Sequence, residues 1–585
     1  MSLYDDASLI MFPSGYKEDK IYSLKPTDGS GDLTFTRAST ATRVNADGLI
    51  ETSPVNLLEQ SNTFNTTWIA VNSGSVVSGQ SGYDGSSNAW TLTKIATSYS
   101  GIKQNIIYSD TSTFAIYAKA NTLNYLWVEE YPTGGNIWFD LINGTTSGSG
   151  FLSSSMTSVG NGWWKCLMTA SGNRTVLNFY PQATSGVTST AGSIYIQDAQ
   201  LNIGATAKPY FPTTDRLNVP RIDYTGGGCG KLLLEPQRSN LMLQSENLNS
   251  SWTPIRAIAT SNAATSPDGT ASADKIIADT DTNTTHLFFQ NKTSLAAGTY
   301  TYSAFFKKSE YEFGAVRIAT DSDTKRFAAV VNLNTGAITA TDSFGSPTGT
   351  SSKVEDYGNG WYRLIVTCTH TSGDILGVTT LSPTAVPTFE NSLPRFTGDN
   401  TSGVFTWGAS LEIGSYSSSY IPTLASSVTR LADAMIVDDV YTNNLVTASG
   451  GTWYIEINNN FTYTRDGSQV GVFIANDTSG GTSSDGLALR NNGAAARLIV
   501  NKRISGVQTA IYNTTTDHVK VAIKWNGTTA DVFENGVKVV DATAFTPTIM
   551  EYFGSFGGDV PKYIVESLLF PTALTDTQLA TLTTL

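Results

Sequence analysis

Asn56–Trp68 reads NLLEQSNTFNTTW, and Asn240–Trp252 reads NLMLQSENLNSSW. Three later landmarks recur in the same order: Asp84-Gly85 with Asp268-Gly269, Gly160-Asn161-Gly162-Trp163 with Gly358-Asn359-Gly360-Trp361, and Tyr210-Phe211-Pro212-Thr213 with Tyr420-Ile421-Pro422-Thr423. The chain therefore carries a tandem duplication. Partner spacing grows from 184 residues at Asn56/Asn240 to 210 at Tyr210/Tyr420, so the second copy holds extra loop residues. A repeat this long is a whole domain, far above the roughly 20–50 residues of a solenoid unit.

The surrounding composition says what kind of domain. Only 15% of the 585 residues are charged, aromatics reach 11%, and glycine, serine, threonine and asparagine are abundant. β-Branched and aromatic residues fit a pleated surface, and glycine and asparagine supply tight turns. Long amphipathic helical patterns are missing. The expectation is an all-β chain of three tandem antiparallel β-sandwich (jelly-roll) domains after a short leader. Its boundaries are a leader at 1–55, module one at 56–213, a linker at 214–231, module two at 232–425 and a third sandwich at 426–585. A net charge of −13 with no basic patch argues against a nucleic-acid partner. No run approaches the roughly 18 apolar residues of a membrane span, so membrane insertion is not expected. The N-terminus, MSLYDDASLIMF, is unlike a basic-then-apolar signal peptide.

Cys166, Cys229 and Cys368 are too few and too scattered for a disulfide framework or zinc site, and read as buried free thiols. His286, His370 and His518 lie far apart without paired spacing. Glu129 and Glu130 are neighbours on a predicted strand and point to opposite faces, which is wrong for a glycosidase pair. The expectation is a non-enzymatic protein with no cofactor, no metal and no catalytic residue, although carboxylates on separate strands could still converge. The Gly226-Gly227-Gly228 run lacks the Lys-Ser/Thr of a phosphate loop and reads as a flexible or tightly turning linker.

In module one, Tyr125-Leu126-Trp127-Val128-Glu129-Glu130-Tyr131 alternates like a strand. Leu126 and Val128 suit the core, leaving Tyr125, Trp127, Glu129 and Tyr131 on the other face, joined by Trp138 from the next strand. An exposed aromatic row with a carboxylate fits a glycan, because sugar C–H faces stack on rings and carboxylates accept hydroxyl hydrogen bonds. The same row would also suit a core or a subunit interface. Aligning Lys119 with Lys307 places Phe313, Ala315, Arg317 and Ala319 where module one has Tyr125, Trp127, Glu129 and Tyr131, so the row is largely lost in module two. The insertion from Leu381 to Gly403 is long for a compact domain, and such loops are often contact surfaces.

Three phrases frame the modules. Phe35–Glu51 reads FTRASTATRVNADGLIE, Pro220–Tyr224 reads PRIDY, and Leu233–Leu241 reads LLEPQRSNL. Together with Ile421-Pro422-Thr423 and Val428-Thr429-Arg430, they resemble segments of a group of tailed-bacteriophage virion proteins. The resemblance covers about residues 1–430 and implies jelly-roll, carbohydrate-binding-module-like domains in a tail or head fibre or a capsid decoration. It implies other virion proteins and host-surface glycans as partners, a homo-oligomer, and a location in the virion after synthesis in the bacterial host cytoplasm. It transfers no catalytic residue. The alternatives are a purely architectural virion subunit and a surface-glycan depolymerase.

The leader lacks apolar residues for a core of its own and is expected to pack on a module or another subunit, with a virion anchor as one role. In the third domain, apolar strands such as Trp453–Ile457, Val470–Ile474, Ala496–Val500 and His518–Trp525 precede a hairpin at Asn535-Gly536. This succession resembles a laminin-G-like or concanavalin-like sandwich. Thr575 is expected to cap a short closing helix, with Gln578 completing a capping box.

Overall fold

The computed structural model describes residues 2–584 other than 109–110, 133–134, 173, 449, 459–469, 477–484, 492–497, 515–517, 547–548 and 557–561. Ala496 and Arg497 of the expected strand thus lie outside the described residues. The chain divides into two compact units, one of Thr52–Leu217 and one of Met1–Glu51 with Asn218–Leu585.

Thr52–Leu217 is module one, two six-stranded antiparallel sheets face to face. One runs Thr145–Ser149, Asn136–Asp140, Tyr125–Pro132, Arg174–Gln182, Gly101–Tyr108, Ile69–Val71. The other runs Ser153–Gly160, Trp163–Ala170, Ser112–Ala120, Gly192–Ile203, Ala89–Lys94, Ser75–Gln80. Their inner faces supply a core that includes Leu126, Val128, Ile137, Phe139, Leu177 and Phe179. Module two repeats the strand order in both of its sheets.

The duplicated stretch owes its wording to one closure. Asn56 donates from Nδ2 to the carbonyls of Ala199 (3.1 Å) and Phe211 (3.0 Å), and its Oδ1 accepts from the amides of Leu58 and Leu201. Asn240 does the same with Ala409, Ile421, Met242 and Leu411. Trp68 and Trp252 each donate to the carbonyl of the glutamine eight residues before, Gln60 and Gln244. Ser61 pairs with the Tyr210 hydroxyl and Ser245 with that of Tyr420. A fully buried asparagine with all four hydrogen bonds made ties the start of each module to its end.

The third sandwich departs from the expected boundaries. Its first sheet contains Val537–Ala544, Thr529–Glu534, His518–Trp525, Gly451–Asn458 and Lys562–Phe570, then Lys231–Leu234 and Arg221–Asp223 from the expected linker; the leader strand Leu9–Met11 also pairs with Lys562–Phe570. Its second sheet runs from the leader strands Tyr16–Lys17, Lys20–Ile21 and Leu33–Thr36 to Ala434–Val437, and onward through the C-terminal strands. Leu9, Met11, Ile21, Leu33, Phe35, Ile222, Leu232 and Leu234 share one core with Trp453, Val521 and Trp525. The leader and linker are thus strands of the C-terminal sandwich, and the modules are insertions within it. The leader and linker lack a core of their own because their apolar faces complete this one. The glycine run is the turn of the Arg221–Leu234 hairpin: Gly226, Gly227 and Gly228 have φ of 82°, 74° and 80°. Cys229 on that turn is exposed, unlike Cys166 and Cys368. The closing helix is Asp576–Thr583, with Thr575 and Gln578 forming the capping box.

The framing phrases meet where the sandwich hands the chain to module two. Asp433 accepts from Arg37 Nη1 (2.7 Å), from Arg221 and from the Glu235 amide (2.7 Å). Glu235 accepts from Arg221 Nη1 (2.7 Å), Arg430 Nη1 (2.6 Å) and the Ser419 hydroxyl (2.6 Å). All five charged side chains are buried. Burial works to raise the Glu235 pKa, but Arg430 and Arg221 outweigh it and hold the carboxyl at about 2; burial pulls Arg37 down to about 10.

Candidate carbohydrate face of module one

On the strand Tyr125–Pro132, Leu126 and Val128 enter the core while Tyr125, Trp127 and Glu129 take the opposite face. Strand register then builds rows across the sheet. Trp127 lies between Trp138 and Tyr180, and Glu129 between Asn136 and Asn178, with Lys103 beyond Asn178. Tyr125 lies between Asp140 and Gln182. An aromatic row is thus bordered by polar rows.

The aromatic row is a packed cluster. The Trp127 and Trp138 rings stack with centroids 5.3 Å apart and 5° between planes, and Tyr180 lies 4.9 Å from Trp127. Tyr99, from the loop after Ala89–Lys94, adds contacts of 5.7 Å to Trp127 and 6.1 Å to Tyr180. Gly101 makes room: a Cβ there would lie 3.0 Å from the Tyr180 ring and 1.9 Å from the Phe179 carbonyl oxygen. Trp127 is consequently only 3% exposed, which corrects the expectation of an exposed ring. Its neighbours shield it, and Trp138, half-buried, and Tyr99, 47% exposed, form the outer surface. Tyr131 is 60% exposed and has no ring contact with the cluster among the described residues. Trp127, Trp138, Tyr125 and Glu129 are brought together; Tyr131 is not. Glu130, on the other face, pairs with Arg174.

The polar groups are held in place. Trp127 Nε1 donates to Asn136 Oδ1 (3.2 Å), Asn178 Nδ2 to Glu129 Oε2 (3.1 Å) and the Tyr125 hydroxyl to Asp140 Oδ2 (2.7 Å). Trp138 Nε1 is buried without a hydrogen-bond partner among the described residues. Burial raises the Glu129 pKa and the Asn178 hydrogen bond partly offsets this. Buried Lys94 pins the Tyr99 loop by donating to the carbonyl of Ser98 (3.0 Å), Gln182 Oε1 (2.9 Å) and the carbonyl of Thr188 (2.6 Å); burial lowers its pKa to about 8.

Sequence reasoning missed Tyr180, Asn178, Asn136 and Tyr99. The alternation of Leu177, Phe179 and Pro181 against Asn178, Tyr180 and Gln182 carried a signal for the first two, whereas nothing local marks a loop tyrosine as a lid over a distant tryptophan.

Module two closes the equivalent face. Register puts Ala315, Val330 and Thr380 where module one has Trp127, Trp138 and Tyr180. The insertion folds as a hairpin of Thr388–Glu390 and Leu393–Phe396, the second strand also pairing with Thr284–Thr285. Phe389 and Ala385 pack on Phe313, Ala315 and Val330, Leu393 packs on Leu287 and Val378, and Arg317 Nη1 donates to the Asn391 carbonyl (2.7 Å). Rather than reaching outward, this loop seals its own module.

No protein-family model and no curated protein matches the sequence. Among solved structures, a tandem CBM22 domain pair from Paenibacillus barcinonensis Xyn10C aligns at 11% identity over 61% of this chain and 97% of its own, with a TM-score of 0.18. Trypanosoma rangeli sialidase aligns at 11% identity over 94% of this chain and 98% of its own, with a TM-score of 0.20. At such scores the superpositions carry no argument about function. Among the described residues, no group of three His, Cys, Asp or Glu is placed to hold a metal ion, and no helix is long and apolar enough to cross a membrane.

Proposed function

We propose that module one binds a glycan through this face, and that the chain is a non-catalytic virion protein of fibre or decoration type that presents it to a host surface. The observation that carries the reading is the contrast between the duplicates. Module one leaves Trp138 and Tyr99 beside Glu129, Asn136 and Asn178, while module two covers the Trp138 position with Phe389 and another part of the same face with Leu393. An unsealed aromatic platform with pre-positioned polar groups suits a sugar ring, whose C–H face stacks while its hydroxyls meet acceptors and amides. Virion parentage is supported by the phrases at 35–51, 220–224 and 233–241, and a homo-oligomer would convert weak single sites into avidity.

A panel of bacterial surface polysaccharides probed with the full-length protein tests this. Saturable binding that weakens about tenfold in Trp138→Ala is expected, without release of reducing ends. Polysaccharide cleavage would favour the depolymerase reading. Absence of binding, with Tyr99 and Trp138 protected from labelling in assembled particles, would favour an architectural subunit.

A further inference from the structure

A cavity of about 240 Å³ lies within the other unit, where the Arg221–Leu234 hairpin and the sandwich meet the base of module two. It is smaller than drug-sized pockets of about 300–1,000 Å³ and fits a single-ring ligand. Tyr357, Tyr420 and Tyr563 are among the residues that line it.

Its carboxylates already have donors. Asp223 accepts from the amides of Val44 and Thr225 (both 2.8 Å), Asp356 from the Gly358 amide, Glu355 from Lys353, and Glu235 from Arg221 and Arg430. Arg43 is likewise engaged with Glu51. Three lining groups are left. Among the described residues, Ser417, 4% exposed, has a buried Oγ with no hydrogen-bond partner, and Asn458 Oδ1 is buried and equally unpartnered. The Lys231 ammonium has neither ion pair nor hydrogen bond among the described residues and lies over the Tyr563 ring, 5.9 Å from its centroid. Buried polar atoms are normally paired, so unpartnered ones on a cavity wall mark what an occupant would supply.

From this set we infer that the cavity is a second ligand site, for a monosaccharide-sized hydroxylated ring bearing one carboxylate, the chemistry of a uronic acid. The carboxylate meets Lys231, a ring hydroxyl donates to Asn458 Oδ1, a second exchanges a hydrogen bond with Ser417, and the C–H faces lie against the tyrosines. The site is independent of the module one face.

Calorimetric titration of the full-length protein with sodium glucuronate, sodium galacturonate and glucose tests it. Saturable binding of a uronate, weaker for glucose, is expected. Lys231→Met should weaken uronate binding about tenfold or more, Lys231→Arg should retain it, and Trp138→Ala should leave it unchanged. Lys231 is half-buried at a hairpin edge, and unchanged melting temperatures establish that the variants fold. No saturable uronate binding, equal binding by Lys231→Met, or loss of binding only in Trp138→Ala would each overturn the assignment.

Discussion

Removing residues 1–51 should unfold the C-terminal sandwich and leave module one intact. The leader places Leu9, Met11, Ile21, Leu33 and Phe35 in the shared core, each fully buried. At about 1.5–3 kcal/mol per buried side chain, the lost transfer free energy is on the order of 10 kcal/mol. Domains have about 5–15 kcal/mol of net stability, so the deletion removes most or all of it. The loss is compounded because Asp433 loses Arg37, and Ala434–Val437 and Lys562–Phe570 each lose a neighbouring strand. Differential scanning calorimetry of residues 52–585 should lack the transition belonging to the sandwich while keeping that of Thr52–Leu217, and limited proteolysis should degrade the C-terminal segment first. A fragment that keeps the sandwich transition within a few degrees of the full chain would show that the leader strands are dispensable to this core. The result also bears on a leader anchor: loss of the truncated protein from particles would report unfolding before it reported a missing attachment point.

Asp433→Ala strands Arg37 and Arg221 in a buried setting and should cost about 3–5 kcal/mol, read as a lower urea midpoint for that unit with module one unchanged. Because the Glu235 pKa is held down at about 2, below its unfolded value, its stabilisation is present above about pH 4.5 and is lost as pH falls towards 2; melting temperatures between pH 6 and 3 should fall more steeply for wild type than for Glu235→Gln. The exposed Cys229 should react with a thiol reagent in the native protein, whereas Cys166 and Cys368, whose thiols burial pushes up, should react only on unfolding.

Much of the architecture was legible because its signals are local or repeated. Alternation placed Leu126 and Val128 inward, the repeat from Asn56 and Asn240 exposed the duplication, and Asn535-Gly536 marked its hairpin, with φ of 49° and 86°. What escaped is long-range. Nothing within residues 9–36 says that Leu9 pairs with Leu569 or Met435 with Phe35, because a short strand's partner is set by which core lacks a face. The framing phrases were readable as a resemblance, yet that their charges form one buried network required the fold to bring Arg37, Arg221, Glu235, Arg430 and Asp433 together. The same limit applied to the candidate site. Alternation placed Trp127 on the outer face, but only the packing of Tyr99 and Tyr180 around it decided that Trp138 presents the surface.

The most direct test of the glycan reading is equilibrium binding of the full-length protein to intact host cells and their purified surface polysaccharide, with Trp138→Ala and the module two variant Phe389→Ala measured in parallel. Wild type should bind saturably, Trp138→Ala about tenfold more weakly, and Phe389→Ala, whose ring only seals module two, as well as wild type. Equal binding by wild type and Trp138→Ala, or none by wild type, would contradict a carbohydrate site on the module one face.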